Sequence, residues 1–171
     1  MEKSLLFFRH AKSDWGASYH HDHDRPLNLR GKRAACAMGR WLAHTGPIPD
    51  LILCSTAVRA QSTCVLAKES GVWAAEVQYE RGLYHATPSD LLHYINELTS
   101  DVKVAMLVGH QPTWAATTEV LTGNAVTKFP TASIARINIK VDEWRHCAAG
   151  MGSVVWHQYP KRLPDMYYDT N

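Results

Sequence analysis

The chain has 171 residues, of which 46% are hydrophobic, 20% charged and 9% aromatic. That make-up belongs to a folded globular chain and excludes disorder. Eighteen Lys and Arg against sixteen Asp and Glu leave a formal net charge of +2, too small to imply nucleic-acid binding. The ten histidines stand out, because imidazole changes charge near neutral pH and so opens metal, acid–base and nucleophilic chemistry.

No apolar run approaches the roughly 18 residues of a membrane helix, and Arg9 and His10 interrupt the N-terminal apolar stretch too early for a signal peptide. Cys36, Cys54, Cys64 and Cys147 form neither a C-x-x-C pair nor a disulfide framework. They are read as small buried hydrophobes in a reduced, cytoplasmic protein. Without repeats or a linker-like composition shift, residues 1–171 are expected to form one domain.

In chain order, Ser4–Phe8, Leu51–Cys54 and Val104–Val108 are short apolar runs that predict buried strands, with Val77–Tyr79 a weaker one. Ile134–Ile139 alternates apolar and polar residues, and Val154–Tyr159 is closed by Pro160. Between these lie helical patterns. Ala35, Met38, Trp41 and Leu42 recur at helical spacing before Gly46-Pro47, and Ala57–Lys68 follows a Ser55-Thr56 start and stops at Gly71. Leu91, Leu92, Ile95 and Leu98 share a face behind Pro88-Ser89-Asp90, and Pro112–Leu121 ends at Gly123. Alternating strand and helix predict an α/β sandwich with a mainly parallel sheet, its last strands joining antiparallel at an edge.

In such sheets ligands collect beyond the carboxyl ends of the strands. Arg9-His10 follow the first strand, Ser55–Arg59 the second, and Gly109-His110 the run at Val104–Val108. Two arginines and two histidines therefore converge on one edge. That set suits phosphate: guanidinium forks match its oxygens and helix N-termini add N–H donors. A neutral imidazole, kept neutral by nearby arginines, can attack phosphorus. A second imidazole, if protonated, can donate to a phosphoryl oxygen.

Phe8-Arg9-His10-Ala11-Lys12-Ser13 resembles the R-H-[GA] signature of the histidine phosphatase superfamily, the phosphoglycerate-mutase-like enzymes. Together with Asp24–Ala35 (DRPLNLRGKRAA), the segment around Trp15 is similar to the SixA-type phosphohistidine phosphatase branch. Ser55–Thr63 resembles its S-x-x-x-R-A-x-x-T segment, and Gly109-His110-Gln111-Pro112 its G-H-x-P segment. The likeness runs from about Leu5 to Pro160. It implies a three-layer α/β/α fold, no cofactor or metal, His10 as the phosphate-accepting nucleophile, and Arg9, Arg59 and His110 as the rest of the phosphate pocket. Transfer would be in line to His10 Nε2, followed by hydrolysis of the phosphohistidine.

Many members of the superfamily carry an acid after the third strand that protonates the leaving oxygen. Here Glu80–Pro88 holds no carboxylate convincingly at that place, and Glu80, His85 and Asp90 are the nearby candidates. An alkoxide needs general-acid help, whereas the P–N bond of a protonated phosphohistidine breaks more easily. A missing acid therefore favours a protein phosphohistidine as substrate. The alternatives are a broad small-molecule phosphomonoesterase and a non-catalytic phospho-ligand binding module. A phosphorylated substrate is the expected partner, with neither nucleic acid nor membrane.

Lys12 and Ser13 are close enough to His10 to touch phosphate or substrate, the alternative being loop solvation and turn hydrogen bonding. Tyr19–Asp24, with three histidines and two carboxylates, is a metal suspect, but adjacent loop residues rarely supply tetrahedral geometry. It is read as a polar loop at the pocket mouth, fixed by an Asp24–Arg25 pair and Pro26. Trp15 is expected to pack that loop on the core, the alternative being a substrate contact at the rim. His44, His93, His146 and His157 are read as surface or structural groups. Arg30, Lys32, Arg33 and Arg40 give one helix a basic face, a solvated surface or a landing for an acidic partner. Lys161–Asn171 is left open between packed and loose.

Overall fold

The computed structural model describes residues 2–169. Its strands are β1 (Lys3–Arg9), β2 (Leu51–Ser55), β3 (Glu76–Glu80), β4 (Val104–Gly109), β5 (Ile134–Ile139) and β6 (Gly152–Gln158). The helices are α1 (Leu29–Thr45), α2 (Val58–Gly71), α3 (Pro88–Asn96) and α4 (Thr113–Thr122). The strands form one sheet in the order β3-β2-β4-β1-β5-β6. β3, β2, β4 and β1 are parallel, while β5 runs antiparallel to both of its neighbours. The reversed strand thus lies one in from the edge, and β6 forms the edge.

Successive side chains of a strand face opposite ways, and β1 uses both faces. Leu6 and Phe8 meet Ala35, Met38 and Leu42 of α1 and Ala60, Cys64 and Ala67 of α2. Leu5 and Phe7 meet Leu91 and Ile95 of α3 and Trp114 and Leu121 of α4. Two apolar cores, one on each side of a sheet buried on both faces, make a three-layer α/β/α sandwich. Continuous apolar runs in β1, β2 and β4 are the sequence counterpart of that double burial.

Helix starts depart from the local signals in an informative way. α1 begins at Leu29, ahead of its apolar stripe, because the Asn28 side chain accepts from Gly31 N at 2.8 Å. α2 has no side-chain cap at Ala57, and Ser55 and Thr56, the expected start, are used elsewhere. α3 is capped by Thr87 in a reciprocal capping box with Asp90. At the end of α2 the left-handed residue is Val72 (φ 53°), with Gly71 still helical. Gly71 has a different constraint: a Cβ there would come within 2.4 Å of the Gly39 carbonyl oxygen.

Several expectations shift. Cys54, Cys64 and Cys147 are buried, but Cys36 is only half-buried, on the flank of α1. Arg40 does not simply face water: its Nη1 donates to Tyr167 O at 2.7 Å. With Leu163 buried, this bond ties residues 160–169 to α1; Thr170 and Asn171 lie outside the described residues. Among the described residues no helix is long and apolar enough to cross a membrane.

α1 and α2 cross at Gly39, where a Cβ would stand 2.1 Å from the Ala67 carbonyl oxygen. Overpacking of such a contact typically costs about 1–3 kcal/mol, more than the roughly 1 kcal/mol a helix gains from Gly→Ala. Gly39→Ala is therefore expected to lower the urea midpoint. Gly16→Ala, which would meet only Asp14 Oδ1 at 3.4 Å, should leave it unchanged.

Candidate active site

The site is assembled at the carboxyl ends of the parallel strands. In the β1–β4 ladder Arg9 stands opposite Gly109, and His10 N donates to Gly109 O at 2.9 Å. The residues just beyond each strand are thereby neighbours, and the His10 and His110 ring centroids lie 5.3 Å apart. Gly109 is small for a packing reason: a Cβ would meet the Trp114 ring at 2.1 Å. That indole is held by its Nε1–H donating to Leu107 O at 3.1 Å.

His10 is 8% exposed. Its Nδ1 lies 2.8 Å from Ala11 O; a carbonyl only accepts, so Nδ1 carries the hydrogen and the neutral ring has its lone pair on Nε2. Burial, with lesser contributions from Arg59, Arg9 and Arg25, pushes the imidazole down to about 4 against the hydrogen bond to Ala11. The loop below it is tied to α2: Ala11 N donates to Thr63 Oγ1 (2.9 Å), which donates in turn to Arg59 O (2.7 Å).

His110 Nε2 and Ser55 Oγ are 2.8 Å apart, and Ser55 Oγ also accepts from Ala57 N at 3.3 Å. The serine hydroxyl can either donate to Nε2 or accept from it, and in both cases it orients the ring. Burial, with His10 and Arg59 nearby, takes His110 down to about 3. The expected protonated donor is thus a neutral donor in the ligand-free protein. A phosphoryl dianion beside it would favour protonation.

The arginines are less free than their sequence positions imply. Arg9 Nη1 donates to Phe129 O at 2.9 Å. Arg59 Nη1 and Nη2 donate to Asp22, to its carbonyl oxygen at 2.8 Å and its Oδ2 at 3.0 Å. Arg9 Nε, Arg59 Nε and His110 Nδ1 are buried without a hydrogen-bond partner. Two guanidinium donors and one imidazole nitrogen of the expected pocket residues are thus without a partner, and an anion is a ligand that guanidinium donors can satisfy.

Asp22 and Tyr84 are the residues that sequence reasoning missed. Asp22 sits in a short 3-10 turn, Asp22–Asp24, and its carboxylate accepts from Arg59, from Arg25 Nη2 (2.8 Å) and from Tyr84 Oη (2.7 Å). Arg25 and Tyr84 together hold its pKa far below the usual carboxylate range despite the opposing effect of desolvation. Arg25 therefore pairs with Asp22 and not with Asp24, which stands 3.7 Å from His23 Nδ1. The D-x-x-R spacing offered a signal, since i and i+3 residues can meet across one turn. Nothing in the sequence linked it to Arg59 or Tyr84.

The other candidates separate. Glu80 lines a different pocket, with His93, Tyr94 and Glu97 of the α3 region. Asp90 closes the α3 capping box, its Oδ2 accepting from Thr87 N at 2.8 Å. Neither reaches the imidazoles as an acid. His85 stays nearby, its ring 3.9 Å from that of Tyr84. Both line a cleft of about 330 Å³ with Arg59, His110 and Gln111. Ser13 is buried and accepts from Arg25 Nη1, whereas Lys12 is exposed. Trp15 is 68% exposed and does not pack on the core; it lies 3.6 Å from the Arg25 guanidinium, a planar cation on an aromatic face.

In the histidine-rich loop, His23 Nε2 is 2.9 Å from Thr56 Oγ1 and its ring meets Tyr84 at 4.9 Å. His20 and His21 are exposed. Among the described residues no group of three His, Cys, Asp or Glu is placed to hold a metal ion. His44, His93 and His146 are exposed. His157 is half-buried, and burial lowers its pKa.

Fold and site together are those of an α/β phosphatase. Residues 5–85 match the model of the histidine phosphatase superfamily, branch 1. An uncharacterized protein of Mycobacterium leprae is 34% identical over 165 residues, covering 90% of this chain and 99% of its own length. The candidate phosphohistidine phosphatase SixA of Nakamurella multipartitia superimposes with a TM-score of 0.82 at 28% identity, over 94% of this chain and 97% of its own. Its counterpart from Agrobacterium tumefaciens gives 0.80 and 29%, over 92% and 98%. The chain belongs to the histidine phosphatase superfamily.

The buried imidazoles make stability depend on pH. Both rings titrate lower in the folded chain, at about 4 and about 3, than the unperturbed 6.5. Between those values the unfolded chain binds more protons, so stability rises with pH and is lost on acidification below about 6.5. Each ring contributes a slope of up to about 1.4 kcal/mol per pH unit. Urea titrations from pH 7.5 to 5 should show this loss, and the His10→Asn/His110→Asn double variant should show a flatter profile.

Proposed function

We propose that the protein hydrolyses phosphohistidine on other proteins through a covalent intermediate on His10. The observation that carries this reading is a buried, neutral His10 whose proton is held on Nδ1 by Ala11 O. It lies beside a second imidazole and two arginines, and no neutral carboxylic acid is in reach of them among the described residues. In the proposed reaction the Nε2 lone pair attacks phosphorus in line. The substrate's P–N bond breaks and its electron pair leaves with the imidazole, which departs neutral if its other nitrogen was protonated. Water then attacks phosphorus, the P–Nε2 bond breaks, and inorganic phosphate and neutral His10 are regenerated.

In this mechanism Arg9, Arg59 and His110 hold the phosphoryl oxygens as charge redistributes in a loose transition state. Ser55 positions His110, and the Ala11 carbonyl positions His10. The phosphate displaces the Asp22 carboxylate from Arg59, exchanging one anion for another on the same guanidinium. Displaced from Arg59, Asp22 keeps its bonds from Arg25 and Tyr84, the groups that do most to lower its pKa, so it stays ionised and has no proton to give an alkoxide. That supports a substrate whose leaving group needs no acid. The SixA-type neighbours carry the name of the same activity.

Incubation with a phosphohistidine peptide is expected to leave an acid-labile, base-stable phosphoryl adduct on His10. His10→Ala should lose the adduct and at least about a thousandfold in kcat/KM, in keeping with removal of a covalent nucleophile. Much faster turnover of small phosphomonoesters than of phosphohistidine would overturn the substrate assignment, and full turnover by His10→Ala would overturn the mechanism.

A further inference from the structure

The basic face of α1 is built into a groove that the phosphate site does not use. A pocket of about 570 Å³ is lined by Leu29, Arg30, Arg33, Lys161 and Tyr168 among others. A second, of about 210 Å³, adds Lys12, Lys128 and Tyr159. Arg30, Ala34, Pro160 and Lys161 line both, so the two are parts of one groove. It reaches Lys12, two residues beyond His10, which at about 3.3–3.6 Å per residue is within roughly 7 Å of the nucleophile along the chain.

Both walls are fixed to the catalytic loop. Asn28 N donates to Lys12 O at 3.0 Å, and a Cβ on Gly31 would stand 2.1 Å from that oxygen, so the start of α1 rests on the Lys12 backbone. Opposite, Ala132 N donates to His10 O and Arg9 N to Ser133 O, both at 3.0 Å. The groove therefore keeps a set position relative to His10.

Its electrostatics are costly to the fold alone. Arg30 and Arg33 lie in the first turns of α1, at the positive end of the helix dipole, with no acidic residue in the first turn. Spaced i and i+3, they also repel each other. None of Lys12, Arg30, Arg33, Lys128 and Lys161 makes an ion pair among the described residues. Lys128 lies over the Tyr159 ring at 5.0 Å. Asp165 is the one acid that acts on the groove's Tyr168, where Arg30 acts in the opposite sense. Cations gathered against the dipole and left uncompensated are what a surface for an anionic partner requires.

The walls say which anion. Leu29, 65% exposed, Pro160, Tyr159 and Tyr168 alternate with the cations. Nucleic acid would match the cations and stack on the tyrosines but supplies no aliphatic groups for Leu29 and Pro160, and a lipid headgroup layer supplies charge alone. An acidic polypeptide segment with interspersed apolar residues satisfies both components. We propose that this groove docks such a segment of the phosphorylated protein, beside the phosphohistidine that enters the active site. The inference rests on the phosphohistidine reading above and adds the class of protein it selects.

The test uses two peptides carrying one phosphohistidine, flanked either by Glu and Leu or by Ser and Gly, with phosphoramidate as a small substrate. The Arg30→Glu/Arg33→Glu/Lys161→Glu variant places two acids where the α1 dipole favours them and the third in the turn at Pro160–Arg162, which makes no ion pair among the described residues, so its thermal midpoint should not fall. It is expected to raise KM for the acidic peptide at least about tenfold with kcat unchanged, and to leave the neutral peptide and phosphoramidate unaffected. Added salt should raise the wild-type KM more steeply for the acidic peptide than for the neutral peptide or phosphoramidate. Equal KM values for the two peptides in the wild type, or no change in the variant, would overturn the docking proposal. So would tighter variant-sensitive binding of a single-stranded DNA 20-mer or of phosphatidylserine vesicles than of the unphosphorylated acidic peptide. Failure of the wild type to turn over any P–N substrate would instead overturn the phosphohistidine reading.

Discussion

The parallel register of β1 against β4 holds the site together. With Arg9 opposite Gly109 and His10 N bonded to Gly109 O, the two strands end level and deliver His10 and His110 side by side. A slip of one residue would turn every side chain of β1 to the other face of the sheet. Leu6 and Phe8 would leave the α1–α2 core, and Leu5 and Phe7 the α3–α4 core. The same apolar pattern that stabilises the sandwich therefore sets the spacing of the imidazoles. Core packing and site geometry are one constraint.

Once paired and buried, the rings acquire chemistry that neither would have in water. Desolvation disfavours the imidazolium more than the local arginines alone would, and hydrogen bonds hold both rings in place. A backbone carbonyl fixes the His10 tautomer, and a strand-end hydroxyl orients His110. Ser55 stands two residues before the α2 N-cap Ala57, where its oxygen accepts from Ala57 N and still lies 2.8 Å from His110 Nε2. One hydroxyl thereby joins the end of β2, the start of α2 and the His110 ring.

The loop between β1 and α1 closes this arrangement from above. Asp22 neutralises Arg59 and Arg25 and accepts from Tyr84, linking three chain segments through one carboxylate. A carboxylate on the arginine that the phosphate would use keeps that cation satisfied in the ligand-free protein, when an unpaired buried charge would be costly. The loop's histidines, which drew attention as a metal set, serve this closure through His23 and leave His20 and His21 in solvent.

What the sequence by itself determined was everything carried by periodicity and by position at strand ends. Buried strands read as unbroken apolar runs, helices as stripes behind turn residues, and the order of these elements implied the α/β/α layers. Because ligands gather at the carboxyl ends of parallel strands, Arg9, His10, Arg59 and His110 could be named before any contact was known. Partners distant along the chain were not legible. Asp22 meets Arg59 and Tyr84 across separations of 37 and 62 residues, and no local pattern encodes such a pairing. Glu80 and Asp90 are a few residues along the chain from His85, yet they face other elements, since α3 takes one into its capping box and walls off the other. The ten histidines show the same division. Their number belongs to the sequence, but only the burial and the neighbours supplied by the tertiary structure separate the two that share a neutral, oriented pair from the eight that do not.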